Sequence, residues 1–202
     1  MQNIYILLQV ILLAAGVSKR FSKGNKLLYT TAGQSLLAHT LENIHAASLG
    51  KVMLITGFQR AEVLAQVADN VDFREVYNPD YKRGMTSSIQ CAIQECSDKV
   101  SGYMICLSDQ IKIQPSTYKL LAKTFTTEFS KNQQLIVSPY YNAQKGNPVI
   151  LSAHYRDEIL ALNEVNGCRP ILLSNPQHII KVSTNDSGIL QDIDRVEDLP
   201  ED

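Results

Sequence analysis

Short, wholly apolar runs alternate with helix-period segments along nearly the whole chain, and this alternation restricts the fold more than any other feature. Val10 to Leu13 reads as a buried strand, and Leu36, Leu37, Leu41 and Ile44 then share one face of a helix over 35–48. Gly50 ends that helix, and Val52 to Thr56 forms a second apolar run. The pattern continues with a helix over 60–68, a strand over 73–77, a helix over 86–95 and a strand over 103–107. Pro115 suits the first position of a helix running to Phe129. Strands over 135–137 and 149–151 flank a polar loop, Tyr140 to Pro148. Shorter helices over 154–162 and 169–173 precede a strand over 179–182, and the tail 192–199 starts as a strand end and turns acidic. Such βαβα order predicts a three-layer α/β fold with a mainly parallel central sheet. In such sheets ligands sit beyond the carboxyl ends of the strands, so polar residues just after each apolar run become the candidates for chemistry.

The bulk properties narrow the classes. At 202 residues the chain is expected to form one domain, 1–202, with a substantial core. Nineteen Lys and Arg against twenty Asp and Glu give no broad cationic surface for nucleic acid or membrane. Cys91, Cys96, Cys106 and Cys168 show no metal-finger spacing and read as reduced, buried thiols. His39, His45, His154 and His178 are scattered, which argues against zinc. The apolar stretch Ile4 to Ala15 lacks a preceding basic residue, is interrupted by Gln9 and is too short for a membrane span. A central strand and a cytoplasmic location are expected.

Leu13 ends the first strand and Ala14, Ala15 and Gly16 follow it, with Arg20 and Lys26 close behind. Small side chains let a ligand approach backbone N–H groups closely, and the two cations suit a polyphosphate. An ordinary turn with solvated cations has the same composition. Two familiar phosphate loops are excluded, because no Lys-Ser/Thr pair follows a final glycine and no three-glycine fingerprint is present.

Later strand ends carry further candidates. Thr56-Gly57 is small enough to admit a flat ring against backbone, and is equally a plain turn. Gly84-Met85-Thr86-Ser87-Ser88 opens a helix with a glycine and three hydroxyls, suiting either capping or a ligand. Asp109 ends a strand where a buried carboxylate needs a partner, such as a hard divalent cation or a lysine. On an alternating strand Asp192 and Asp194 would face the same side, fitting a metal shared with Asp109 or a solvated acidic edge.

L-A-A-G-V-S-K-R followed by Lys26 resembles the nucleotidyltransferase signature of the MobA-like family, and within it the molybdenum cofactor cytidylyltransferases. The resemblance extends from Val10 to Leu199. It includes N-P-D-Y-K-R-G-M-T-S-S from Asn78, S-D-Q from Ser108, G-N-P from Gly146, N-G-C-R from Asn166, D-S-G from Asp186 and D-I-D-R-V-E-D-L from Asp192. It implies a Rossmann-like, nucleotide-diphospho-sugar transferase (GT-A-like) fold. The implied activity is transfer of a nucleoside monophosphate from an NTP, with CTP as donor and molybdopterin as acceptor. Mg²⁺ is the implied cofactor, held by Asp109 with Asp192 or Asp194. The backbone of 13–17 and Arg20 would hold the β- and γ-phosphates and Lys26 the α-phosphate. Asn78, Gly84, Ser87 and Ser88 would lie on the base side, and Arg169 near the acceptor. A molybdoenzyme or its maturation chaperone is the implied protein partner. Ile111, Asn147 and Arg195-Val196 depart from the family pattern. They leave open a transferase using GTP or a sugar-phosphate acceptor, and a non-catalytic nucleotide-binding maturation partner.

Overall fold

Residues 6–31, 33–163 and 165–199 are described in the computed structural model. The elements in chain order are β1 (Leu8–Ala14), β2 (Thr30–Thr31), β3 (Gln34–Ser35), α1 (Leu36–Ala46), β4 (Val52–Thr56), α2 (Arg60–Leu64) and β5 (Phe73–Tyr77). There follow α3 (Met85–Gln94), β6 (Gly102–Leu107), α4 (Pro115–Phe129), β7 (Ile136–Tyr141), β8 (Gln144–Lys145), β9 (Val149–Ser152), α5 (Arg156–Leu160), α6 (Arg169–Ser174) and β10 (Ile179–Ser183). The main sheet runs β10-β7-β9-β6-β1-β4-β5, with β8 hairpinned onto β7 and β2-β3 forming a separate ribbon. β9 lies antiparallel to both neighbours, whereas β10–β7, β6–β1, β1–β4 and β4–β5 are parallel. The expected α/β class with a mainly parallel sheet is present.

The pleat of β1 explains the three layers. Val10, Leu12 and Ala14 point to one face and pack with Leu37, Leu41 and Ile44 of α1 and Leu121 and Phe125 of α4. Ile11 and Leu13 point to the other, against Ile89 and Ile93 of α3, Ile159 of α5 and Ile171 of α6. Both faces are covered, which is why these strands read as continuous apolar runs. Each such buried side chain contributes about 2 kcal/mol of transfer free energy. A third cluster, Phe21, Leu36 and Ile193, ties the C-terminal tail to the loop after β1.

Chain order sets the position of the ligand crevice. From β1 the chain builds outward through β4 and β5, then crosses to β6 on the other side. The reversal falls between the carboxyl ends of β1 and β6, where an open parallel sheet leaves a crevice.

Four expectations need correction. The helix expected over 60–68 stops at Leu64, and the residues after Ala65 turn through single 3-10-type bonds (Gln66 N–H to Val63 O, 3.1 Å). β7 continues through Pro139 to Tyr141, and 140–148 contains β8 instead of being a simple loop. Asn142 and Ala143, both at positive φ, make the tight turn between them. Residues 192–195 are not a strand. Ile193 sinks into the third cluster and donates its N–H to Asp109 O (3.1 Å), without a ladder partner.

Candidate active site

A cleft of about 710 Å³ lies at the switch point, lined by Leu13, Ala15 to Arg20, Lys26, Leu27, Tyr81, Lys82, Gly84, Met85, Ser88, Leu107 to Asp109 and Asp194. Of the residues singled out in the sequence, it gathers Leu13, Ala15, Gly16, Arg20, Lys26, Gly84, Ser88, Asp109 and Asp194. Ala14, Thr56, Gly57, Asn78, Ser87, Asp192 and Arg169 are not among its lining residues.

The loop after β1 is closed on itself by side chains. Ser18 adopts a left-handed conformation (φ +51°), and its Oγ accepts the N–H of Lys26 (3.1 Å) and donates to Asn25 Oδ1 (3.3 Å). Asn25 Oδ1 also accepts the N–H of Leu27 (3.1 Å), capping the short turn that carries Lys26. Ser18 and Asn25 therefore shape the loop and position Lys26, a role their sequence context did not reveal. Gly16 is exposed, with open space beside it, as a close backbone approach by a ligand requires.

The charges of the site pair with one another. Lys26 Nζ donates to Asp109 Oδ2 (2.5 Å) and Asp194 Oδ1 (3.2 Å), and Arg20 meets Asp194 Oδ2 at 2.8 Å. Lys26 and Asp109 are both only 14% exposed, whereas Arg20 is 69% exposed. Asp109 Oδ1 is buried and has no hydrogen-bond partner among the described residues. Asp194 is fixed from behind, its N–H donating to Asp198 Oδ2 (3.0 Å). Asp192 goes elsewhere, accepting from Gln110 Nε2 (2.6 Å). Burial holds its carboxyl above the ordinary range, and the Asp109 charge adds to the rise. Among the described residues no three carboxylate, histidine or cysteine side chains are grouped to hold a metal. The donors available in the cleft are thus the two carboxylates that share Lys26.

The other end of the cleft is built on hydrogen bonds. Asn78, 2% exposed, donates from Nδ2 to Ser87 Oγ and Ser88 Oγ (both 3.0 Å), and its Oδ1 accepts the N–H of Asp80 (2.9 Å). Asn78 and Ser87 therefore organise the turn over 80–84, while Ser88 reaches the cleft. The space at Gly57 is filled by the protein's own ring. A Cβ there would lie 2.6 Å from Tyr81 Cβ and 2.8 Å from Ala15 Cβ, so Gly57 admits Tyr81 and not a ligand ring. Thr56 is buried beneath, donating to Glu75 Oε1 (2.5 Å). At Gly84 (φ +104°) a side chain would crowd the Val165 carbonyl, which accepts the Met85 N–H (3.0 Å).

The remaining motif pieces support the scaffold. Asp186 accepts from Gln114 N–H (2.8 Å) and Thr117 Oγ1 (2.6 Å), capping α4, and Asn147 donates its N–H to Ile189 O (3.1 Å). Arg169 is exposed at the first position of α6.

Known proteins bear out the architecture. Rv0371c from Mycobacterium tuberculosis H37Rv superposes with a TM-score of 0.81 at 20% identity, covering 96% of this chain and 95% of that one. It has also been solved with manganese (TM-score 0.72, 20% identity, 95% of each chain). Nicotine blue oxidoreductase of Paenarthrobacter nicotinovorans is 25% identical over 94% of this chain and 93% of its own. Molybdenum cofactor cytidylyltransferase of Escherichia coli K12 is 22% identical over 93% and 91%. Residues 10–179 match the MobA-like NTP transferase domain, and the chain belongs to that family of nucleotidyltransferases.

Proposed function

We propose that the protein transfers a cytidylyl group from CTP to a phosphorylated acceptor of the molybdopterin class, with pyrophosphate as the second product. The carrying observation is the convergence of Arg20, Lys26, Asp109 and Asp194 beside a small-residue loop at the β1–β6 switch point. The cytidylyltransferase relative, similar over nearly its full length, supports CTP and the acceptor class.

In this reading an ionised acceptor oxygen attacks the α-phosphorus of CTP. The bond to the bridging oxygen breaks, and pyrophosphate leaves with the electron pair. Both reactants are anions, so the protein's task is alignment and neutralisation of charge. The N–H groups of 13–17 and the Arg20 guanidinium hold the β- and γ-phosphates. Lys26 turns from its carboxylates to the α-phosphate and offsets the charge that grows there. Ser88 lies at the base end. Asn78, Ser87, Thr56 and Gly57 act one layer back, by fixing the turn that carries Tyr81.

Two hard carboxylates, and an Asp109 oxygen with no partner among the described residues, fit Mg²⁺, which takes one or two carboxylates plus substrate phosphates. Asp109 and Asp194 would hold it, and Asp192, turned toward Gln110, would not. Bound there, the cation supplies Lewis-acid neutralisation of phosphate oxygens. Residues 1–202 work in this proposal as one cytoplasmic domain that passes its product to a molybdoenzyme or its chaperone, with no nucleic acid or membrane involved. Among the described residues no helix is long and apolar enough to cross a membrane.

The test is pyrophosphate release from CTP, GTP, ATP and UTP with molybdopterin and Mg²⁺. CTP-dependent release, lowered by orders of magnitude in Lys26→Met, is expected. Release with GTP alone would refute the cytidylyl assignment, and binding without release from any nucleotide would refute catalysis.

A further inference from the structure

We propose that Lys82, on the turn after β5, reads the nucleobase and favours one carrying an exocyclic carbonyl oxygen. The proposal rests on nucleotide transfer being the reaction. Arg20, Lys26, Asp109 and Asp194 crowd the β1–β6 end of the cleft, so the triphosphate belongs there and the base at the β5 end.

At the β5 end two donors are left without an acceptor among the described residues, and the backbone carbonyls of the turn are largely taken. The Asp80 carbonyl already accepts from Arg83 N–H (2.9 Å) and Ser87 Oγ (3.0 Å), and the Gly84 carbonyl from Ser87 Oγ (2.9 Å). The Tyr81 carbonyl accepts from Gly84 N–H (3.3 Å). Ser88 Oγ receives a bond from Asn78, and its own proton has no acceptor among the described residues. Arg83 pairs with Asp80 at 3.5 Å and is not among the residues lining the cleft. Lys82 lines the cleft with its ammonium 5.9 Å from the Tyr81 ring centroid, and forms no ion pair or hydrogen bond among the described residues. The uncommitted donors at this end therefore include an ammonium and a hydroxyl proton.

A carbonyl-bearing base edge matches that surface. Lysine pairs with base carbonyls in nucleic-acid recognition, and cytosine O2, uracil O4 and guanine O6 are such acceptors. Adenine has no carbonyl oxygen and offers the ammonium only ring nitrogens, and a site built to hydrogen-bond one group discriminates against a ligand that lacks it. The turn is preorganised for the task, because Asn78 holds the Asp80 N–H and Gly57 seats Tyr81.

Titration calorimetry of the full chain with CTP, GTP, UTP and ATP in Mg²⁺ tests this in wild type, Lys82→Met and Lys82→Arg. Lys82 is exposed, so both variants should melt with the wild type. Wild type is expected to bind carbonyl-bearing nucleotides more tightly than ATP. Lys82→Met should shrink that preference about tenfold, with most of it restored in Lys82→Arg. Equal weakening toward all four nucleotides would overturn the proposal by making Lys82 a phosphate contact. An unchanged preference would overturn it outright. Wild type binding none of the four would instead remove the nucleotidyl-transfer reading beneath it.

Discussion

Lys26 holds together a cleft that would otherwise bury uncompensated negative charge, and removing it should destabilise the fold as well as the chemistry. At 2.5 Å from Asp109 Oδ2 the gross attraction is about 7 kcal/mol at an effective dielectric near 20. Desolvation of two ions, each 14% exposed, cancels much of it, leaving a net coupling of about 2–3 kcal/mol. Lys26→Met leaves Asp109 without any partner, since its Oδ1 already has none among the described residues. The cost is then about 3 kcal/mol, because a buried charge stripped of its counterion is penalised more heavily than the pair was worth. For a chain of this size that is a fall in Tm of about 6–12 °C. Asp109→Asn alone should cost less, as Lys26 keeps Asp194 at 3.2 Å. The double variant Lys26→Met/Asp109→Asn should be more stable than the sum of the singles by about 2 kcal/mol. Urea unfolding of all four proteins at pH 7 provides the cycle, with equal slopes required so that midpoints report stability. Single effects that add to within about 0.5 kcal/mol would refute the coupling, and with it the picture of a lysine lent to the carboxylates until a phosphate arrives.

Two further substitutions test the scaffold. Asp192 is held above the ordinary carboxylate range by burial and by Asp109, so its ionisation costs stability. The sign follows from linkage: a raised folded pKa contributes stability below the unfolded value, lost as pH rises through the folded one. Asp192→Asn should therefore melt above wild type at pH 7, the gap closing near pH 4 and below; a lower melting point at pH 7 would show that Asp192 is stabilised as an anion. Gly57→Ala places a methyl 2.6 Å from Tyr81 Cβ and 2.8 Å from Ala15 Cβ. Overpacking of that kind costs about 2 kcal/mol, or about 4–8 °C, and should weaken nucleotide binding as the turn over 80–84 shifts. A variant that melts and binds like wild type would mean that Tyr81 does not need that seat.

The elements most legible in the sequence are those whose boundaries are local. β4 begins and ends where the apolar run does, since both faces of that strand are covered and Gly57 stops it. Pro115 fixes the start of α4 because its missing N–H costs nothing at a first helical turn. β8 was hidden for an equally local reason: its turn is Asn142-Ala143, and a hairpin turn with both residues at positive φ normally announces itself by glycine. Pro139 disguised the length of β7, though a strand tolerates a proline where no ladder N–H is needed.

The tail shows a limit of a different kind. The alternation in Leu190-Gln191-Asp192-Ile193-Asp194 reports which residue is buried, and Ile193 is; it cannot report whether a neighbouring strand exists to pair with. Without a ladder to hold them parallel, the two flanking carboxylates part, one to Gln110 and one to Lys26 and Arg20. The same distinction governs the site. That Lys26 is a cation near a small-residue loop is written in 14 consecutive residues, Leu13 to Lys26. That its charge is already balanced depends on Asp109 and on Asp194, 83 and 168 positions away. A small-residue loop with two cations, read from its own residues, therefore overstates the free charge it offers. In this protein Arg20 and Lys26 are lent to aspartates, and among the cations of the cleft Lys19 and Lys82 make no ion pair among the described residues. In the proposed reaction an incoming triphosphate would have to compete with Asp109 and Asp194 for Lys26. A divalent cation that occupies those carboxylates would release Lys26 to the phosphates, so nucleotide affinity and Mg²⁺ concentration should rise together.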